Sequence, residues 1–244
     1  MICKAVVSEK GNNIHFESAT IPGTTIPEII EGDKKYGKMV PYNGKYFTYK
    51  AVDWNGKWIN YPQIQKALTL VWNKAEKVIQ IEAREAKTDE FVDFKVYFRK
   101  TSDDPNLTTN TLMYHYYPIN DFNSQFRGVC VVNTDFAWTS DGKGIPLHIY
   151  DPEHYPEPTK AEAMTFDFDA VYEHEGIGHG LGLPHSPNQF KKMSSNYSIM
   201  AESIFEETDD ETILRLQAKY PKRNIVISTL KRWIRWFKVR QDNY

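Results

Sequence analysis

Three imidazoles within twelve residues constrain this chain more than any other feature: His174-Glu175-Gly176-Ile177-Gly178-His179-Gly180-Leu181-Gly182-Leu183-Pro184-His185. Side chains that share a metal must converge, and a zinc that does hydrolytic work wants three protein ligands with one position left for water. The apolar run Phe166, Phe168, Ala170, Val171 leads into the first histidine. The stretch therefore reads as part of a helix over 161–182 rather than as a glycine-rich loop. Gly182 lets the chain turn at positive φ so that His185 swings back toward the same ion. Glu175, beside the first imidazole, is a general-base candidate.

The spacing of the first two histidines poses a geometric problem. A regular helix turns ~100° per residue, so side chains at i and i+5 lie ~140° apart. His174 and His179 share an ion only if the helix widens locally. A π-bulge absorbs one residue, and Gly176 and Gly178 ease that distortion. The alternative keeps the helix regular, with Glu175 as first ligand and Gly176 where the base would be. That arrangement leaves a metal site with little hydrolytic power.

The rest of the chain reads as an α+β globular protein. Its 244 residues suit one medium domain with attachments, or two small ones, and can bury a core without staples. The net charge of -2 gives no reason to propose nucleic acid. Two cysteines, Cys3 and Cys130, are too few for a disulfide framework and read as reduced thiols, with one bridge left open. The start lacks the apolar run of a signal peptide, and no stretch approaches ~20 apolar residues. Synthesis in the cytoplasm without a membrane span is the expectation.

Along the chain, Ala5-Val6-Val7 and Ile14-His15-Phe16 flank a plausible hairpin turn, Gly11-Asn12-Asn13. Asn43-Gly44 signals a second hairpin between Met39-Val40 and Tyr46-Phe47, and 22–38 reads as irregular. Asn60 and Pro62 open a helix over 61–77, with Ile64, Ala67, Leu68, Val71, Trp72 and Ala75 on one face. Strands are expected at 91–98, 128–132 and 145–150, with 101–127 mostly loop. Thr208 and Glu211 resemble a capping box for a helix near 209–219.

With these elements, the His stretch resembles the metzincins and, among them, the matrixins, whose pattern is H-E-x-x-H-x-x-G-x-x-H. His179, Gly182 and His185 stand at the family spacing, Ser186 follows as in matrixins, and Ser198-Ile199-Met200 looks like the Met-turn below the metal. The departure is the extra residue in H-E-x-x-x-H, a spacing that dipeptidyl peptidases of the third type also use. The resemblance covers roughly 46–220. It implies a metzincin-like (zincin) fold with a twisted mixed sheet, a zinc-binding active-site helix, a Met-turn and a C-terminal helix. It further implies a zinc endopeptidase with His174, His179 and His185 as ligands, Glu175 as base and Met200 as the floor. A peptide or protein substrate would lie extended along an edge strand. The expected division is 1–45 as an accessory β segment, 46–221 as catalytic domain and 222–244 as a tail.

Weaker features complete the reading. His148, Asp151 and His154 read as a surface loop, with a second metal site as the rarer alternative. Asp103, Asp104, Asp121 and Asp141 offer oxygens to calcium, as a second candidate cofactor. The propeptide cysteine context of matrixin zymogens is absent, and Cys3 is at most a remote zinc ligand. Residues 222–244 carry Leu230, Trp233, Ile234 and Phe237 at helical spacing amid seven basic side chains. This basic amphipathic helix suits docking on its own domain, a protein partner, or, as the rarer alternative, a membrane surface or nucleic acid. A rival for the whole chain is a catalytically inactive structural or assembly protein, such as a viral or phage particle component.

Overall fold

The computed structural model describes residues 2–7, 14–16, 26–52, 62–140, 145–146, 165–187, 193 and 210–223. Their strands form a seven-stranded mixed sheet, in the order β2-β1-β6-β7-β5-β3-β4, and a three-stranded sheet, β10-β8-β9. The strands are β1 (Ile2–Val7), β2 (Ile14–Phe16), β3 (Phe47–Val52), β4 (Ala83–Glu85), β5 (Phe94–Arg99), β6 (Thr111–Tyr116), β7 (Val129–Asn133), β8 (Ala137–Ser140), β9 (Ile145–Pro146) and β10 (Thr165–Asp167). The helices are α1 (Ile26–Asp33), α2 (Pro62–Val78), α3 (Phe168–Tyr172), a π-helix (Glu173–His179) and α4 (Asp210–Lys219). None of the described helices is long and apolar enough to cross a membrane.

Strands β4, β3, β5 and β7 run parallel, whereas β6 is antiparallel to β7 and to β1. Alternation in β5 explains the layering. Phe94, Val96 and Phe98 are buried, while Lys95, Tyr97 and Arg99 are only partly so. The first set meets α2, whose face Ile64, Ala67, Leu68, Val71, Trp72 and Ala75 is buried as the periodicity predicts. The Trp72 ring lies 4.8 Å from Phe94 and stacks on Tyr49. β7 is buried along its whole length because both sheet faces are covered. Cys130 and Val132 join the main core, while Val129 and Val131 pack with Leu107 and Tyr114 on the opposite face.

Several sequence expectations are corrected. The first hairpin forms, since β1 and β2 pair antiparallel; its turn lies outside the described residues. The Asn43-Gly44 hairpin does not form, although Gly44 has φ 70°. Met39 enters the core, and buried Asp93 accepts from the Tyr42 amide, so tertiary anchors replace strand pairing there. Residues 22–38 contain α1, which is held from outside itself through Asp33. The stretch 101–127 contains β6, whose mixed polarity hides a strand buried on both faces. A continuous helix over 161–182 is replaced by β10, paired parallel to β8, followed by α3. The Asp167 carboxylate caps α3 by accepting from the Ala170 amide at 2.8 Å.

The outer edge of β6 is not open. β1 lies along it with Ile2 opposite Tyr116, Cys3 opposite His115 and Lys4 opposite Tyr114. Ala5 is fully buried in the main core. The outer side of β6 is therefore occupied by the chain's own residues 2–7.

Candidate metal centre

The extra residue between the first two histidines is absorbed by backbone geometry. Glu173–His179 is a π-helix, in which hydrogen bonds run i→i+5, so residues five apart stack on one face. Gly176 and Gly178 are needed for space. A β-carbon at 178 would meet Met193 Sδ at 2.3 Å, and one at 176 would meet the Tyr172 ring. The start of the π-helix is tied to α2 by the Lys74–Glu173 ion pair at 2.7 Å.

After the π-helix the chain folds under it. Leu183 N–H donates to the Gly178 carbonyl, and Gly182 turns at φ 97°. A side chain at 182 would also collide with the Gly37 carbonyl, 2.5 Å from its β-carbon. This turn puts the Leu183 carbonyl 2.6 Å from His179 Nδ1. His179 therefore donates from Nδ1, which leaves the Nε2 lone pair facing the other imidazoles.

His174, His179 and His185 converge. His179 Nε2 lies 3.1 Å from His174 Nε2 and 3.2 Å from His185 Nε2. One ligand atom from each falls within 4.8 Å of the others, and all three residues are buried. Tetrahedral zinc with Zn–N of ~2.0–2.1 Å needs nitrogens roughly 3.4 Å apart. The observed spacing is close to that value and fits a metal held by the three nitrogens. Burial, followed by the neighbouring imidazoles, pushes the His179 pKa well down. Burial, helped by the Arg215 charge, lowers His185 to about 4. Both shifts favour neutral imidazole, the form that ligates.

Glu175 is fully buried and does not belong to this group. Neither carboxylate oxygen has a hydrogen-bond partner among the described residues. Burial raises its pKa well above the ordinary carboxylate value. Burial, with the Glu175 charge adding to it, pushes the Cys130 thiol up. Cys130 is a free thiol.

Several neighbours of the site carry no local sequence signal. The Tyr117 ring packs edge-on against His179 at 5.1 Å. His115 is buried opposite Cys3 in the β1–β6 register, and burial lowers its pKa to about 4. Nothing in the local sequence marks either residue: His115 is covered by strand pairing, and Tyr117, just after β6, meets His179 only through the tertiary fold. Met200, His148, Asp151, His154, Asp141 and residues 224–244 lie outside the described residues. Asp104 is engaged by the Tyr114 hydroxyl and the Asn106 amide. Among the described residues, the acidic side chains Asp103, Asp104 and Asp121 form no metal-binding group.

A mixed sheet backed by helices, with three imidazoles gathered at the end of one of them, defines a metallopeptidase fold of the zincin class. A match to the matrixin family spans residues 41–220, and the chain belongs to that family. Matrixins are zinc-dependent proteases, and the three histidines here are positioned to bind a metal. No curated protein sequence matches the chain.

Proposed function

We propose that this protein is a zinc endopeptidase in which His174, His179 and His185 hold the metal and Glu175 is the general base. The observation that carries the proposal is the convergence of three buried imidazole nitrogens across a π-helix. Bound zinc supplies Lewis-acid polarisation of a water and of the scissile carbonyl. Glu175 takes the water's proton and delivers it to the leaving amine, and its raised pKa suits it to hold that proton. The Leu183 carbonyl fixes the tautomer of His179. For Met200, outside the described residues, the Met-turn role rests on the resemblance of the sequence to matrixins alone. In this reading, 46–221 is the catalytic unit, 1–45 an accessory segment and 222–244 a basic tail that contacts a protein partner.

Glu175→Gln tests the assignment, because it keeps the shape and removes the base. The variant should retain one zinc per chain and lose peptide hydrolysis. Wild-type protein that neither carries zinc nor takes it up on reconstitution would sink the proposal.

A second reading is a matrixin fold that binds metal without cleaving peptides. One observation favours it: β1 fills the outer edge of β6. Zinc-loaded protein that cleaves no member of a diverse peptide library would decide for this reading.

A further inference from the structure

The three imidazoles are not held in the same way. His174 and His179 ride on one helix, so backbone hydrogen bonds fix their separation. His185 sits in chain without helix or strand pairing, and something else must hold it. We infer that Arg215 is the positioning residue for His185, with Asp33 and Glu211 setting Arg215 itself. The inference rests on the metal-site reading above.

Arg215 is fully buried on α4. Its Nη2 donates to the Pro184 carbonyl at 2.7 Å, directly before His185. On the other side, the Ser186 hydroxyl donates to the Glu211 carboxylate, which also meets Arg215 Nη1 at 3.5 Å. Both neighbours of His185 are thus tied to one guanidinium. That group is gripped in turn from α1, where Asp33 accepts from Nε at 2.8 Å and from Nη2 at 2.9 Å. Lys219 Nζ reinforces the joint by donating to the Asp33 and Gly37 carbonyls.

The chemistry calls for arginine specifically. A planar fork of five donors can satisfy a carboxylate on one side and a carbonyl on another in fixed geometry, whereas an ammonium is a point charge on a flexible stem. Glu211 and Asp33 balance the buried cation, so the joint is rigid rather than merely charged. α1 comes from the first 45 residues, so this contact ties that segment to the chain beside His185.

The test compares Arg215→Lys with a pair exchange, Asp33→Arg with Arg215→Asp, in the full chain. Zinc affinity is measured by competition with a chromophoric chelator, alongside thermal melting. Histidine imidazole NMR on the metal-free proteins is the second readout. Arg215→Lys should weaken zinc by about 10–100-fold and broaden or split the His185 resonances while leaving those of His179 sharp. The exchange should not recover zinc affinity, because no donor then faces the Pro184 carbonyl and Glu211 loses its cation. Wild-type zinc affinity and an unaltered His185 signal in Arg215→Lys would overturn the inference, as would full recovery of zinc binding in the exchange. Wild-type protein that takes up no zinc would refute the metal-site reading instead. The metal-free NMR comparison would still decide whether Arg215 places His185.

Discussion

The ring of Tyr172 fills the space where a side chain on residue 176 would begin: a β-carbon on Gly176 would lie 2.1 Å from Tyr172 Cε2. That ring is fully buried and stacked on Phe168 at 5.5 Å, so it cannot give way. Gly176→Ala should therefore cost about 1–3 kcal/mol of stability. Gly178→Ala meets only the flexible end of Met193 and should cost less. Denaturant midpoints of the two variants check the order, and the reverse order would show that the ring is not what demands glycine.

A buried ion pair anchors the loop before β3. Arg127 and Asp93 meet at 2.9 Å with both side chains almost fully buried. Asp93 also accepts from the Thr48 amide, and Arg127 donates to the Ile119 carbonyl. Arg127→Met strands the Asp93 charge and should cost about 3–5 kcal/mol. Adding Asp93→Asn to that variant should recover part of the loss. Equilibrium unfolding of both would expose a failure of this account, most clearly as an additive double variant.

Acid sensitivity should have a component from His115. Its folded pKa of about 4 lies below the unfolded 6.5 because burial disfavours the imidazolium. Between those values the unfolded chain binds the extra proton. The contribution is complete above about pH 6.5 and is lost as pH falls toward about 4. Glu175 works in the opposite sense, since its pKa is raised. The clean quantity is therefore the stability difference between metal-free wild type and His115→Gln. That difference should shift toward the variant by on the order of 3 kcal/mol across the window. A pH-independent difference would mean that His115 does not titrate in this range.

Peptide access should depend on β1. An extended peptide can add to β6 only where β1 now pairs. A chain without residues 1–16, shown by melting to be folded, should cleave peptides with higher kcat/KM and unchanged zinc content. An unchanged rate in that folded variant would mean that substrate does not use the β6 edge.

The three converging imidazoles were legible in the sequence because their chemistry is local. Three imidazoles and a turning glycine fit in twelve residues, and the extra residue at His174–His179 has one economical resolution, the π-helix that forms. The buried face of α2 was equally legible, since its periodicity is its packing. β6 was not, because Tyr114 and His115 look polar until strands on both sides cover them. α1 and Arg215 were hidden for another reason. Asp33 and Arg215 are 182 positions apart, and neither carries a local mark of the contact. The Asn43-Gly44 signal was real as a turn yet misleading as a hairpin, because Asp93 and Arg127 capture the chain on its N-terminal side.

The β1–β2 hairpin also decides where the large sheet stops. Among the described residues, the sheet ends in β2 on one side and β4 on the other, each only three residues long. Strands that short make poor templates for a second molecule. Without the hairpin the sheet would end on β6, six residues long, with its backbone amides and carbonyls unpaired. A second copy could then pair with that free edge, so the segment that lies along β6 also stands where such a pairing would form.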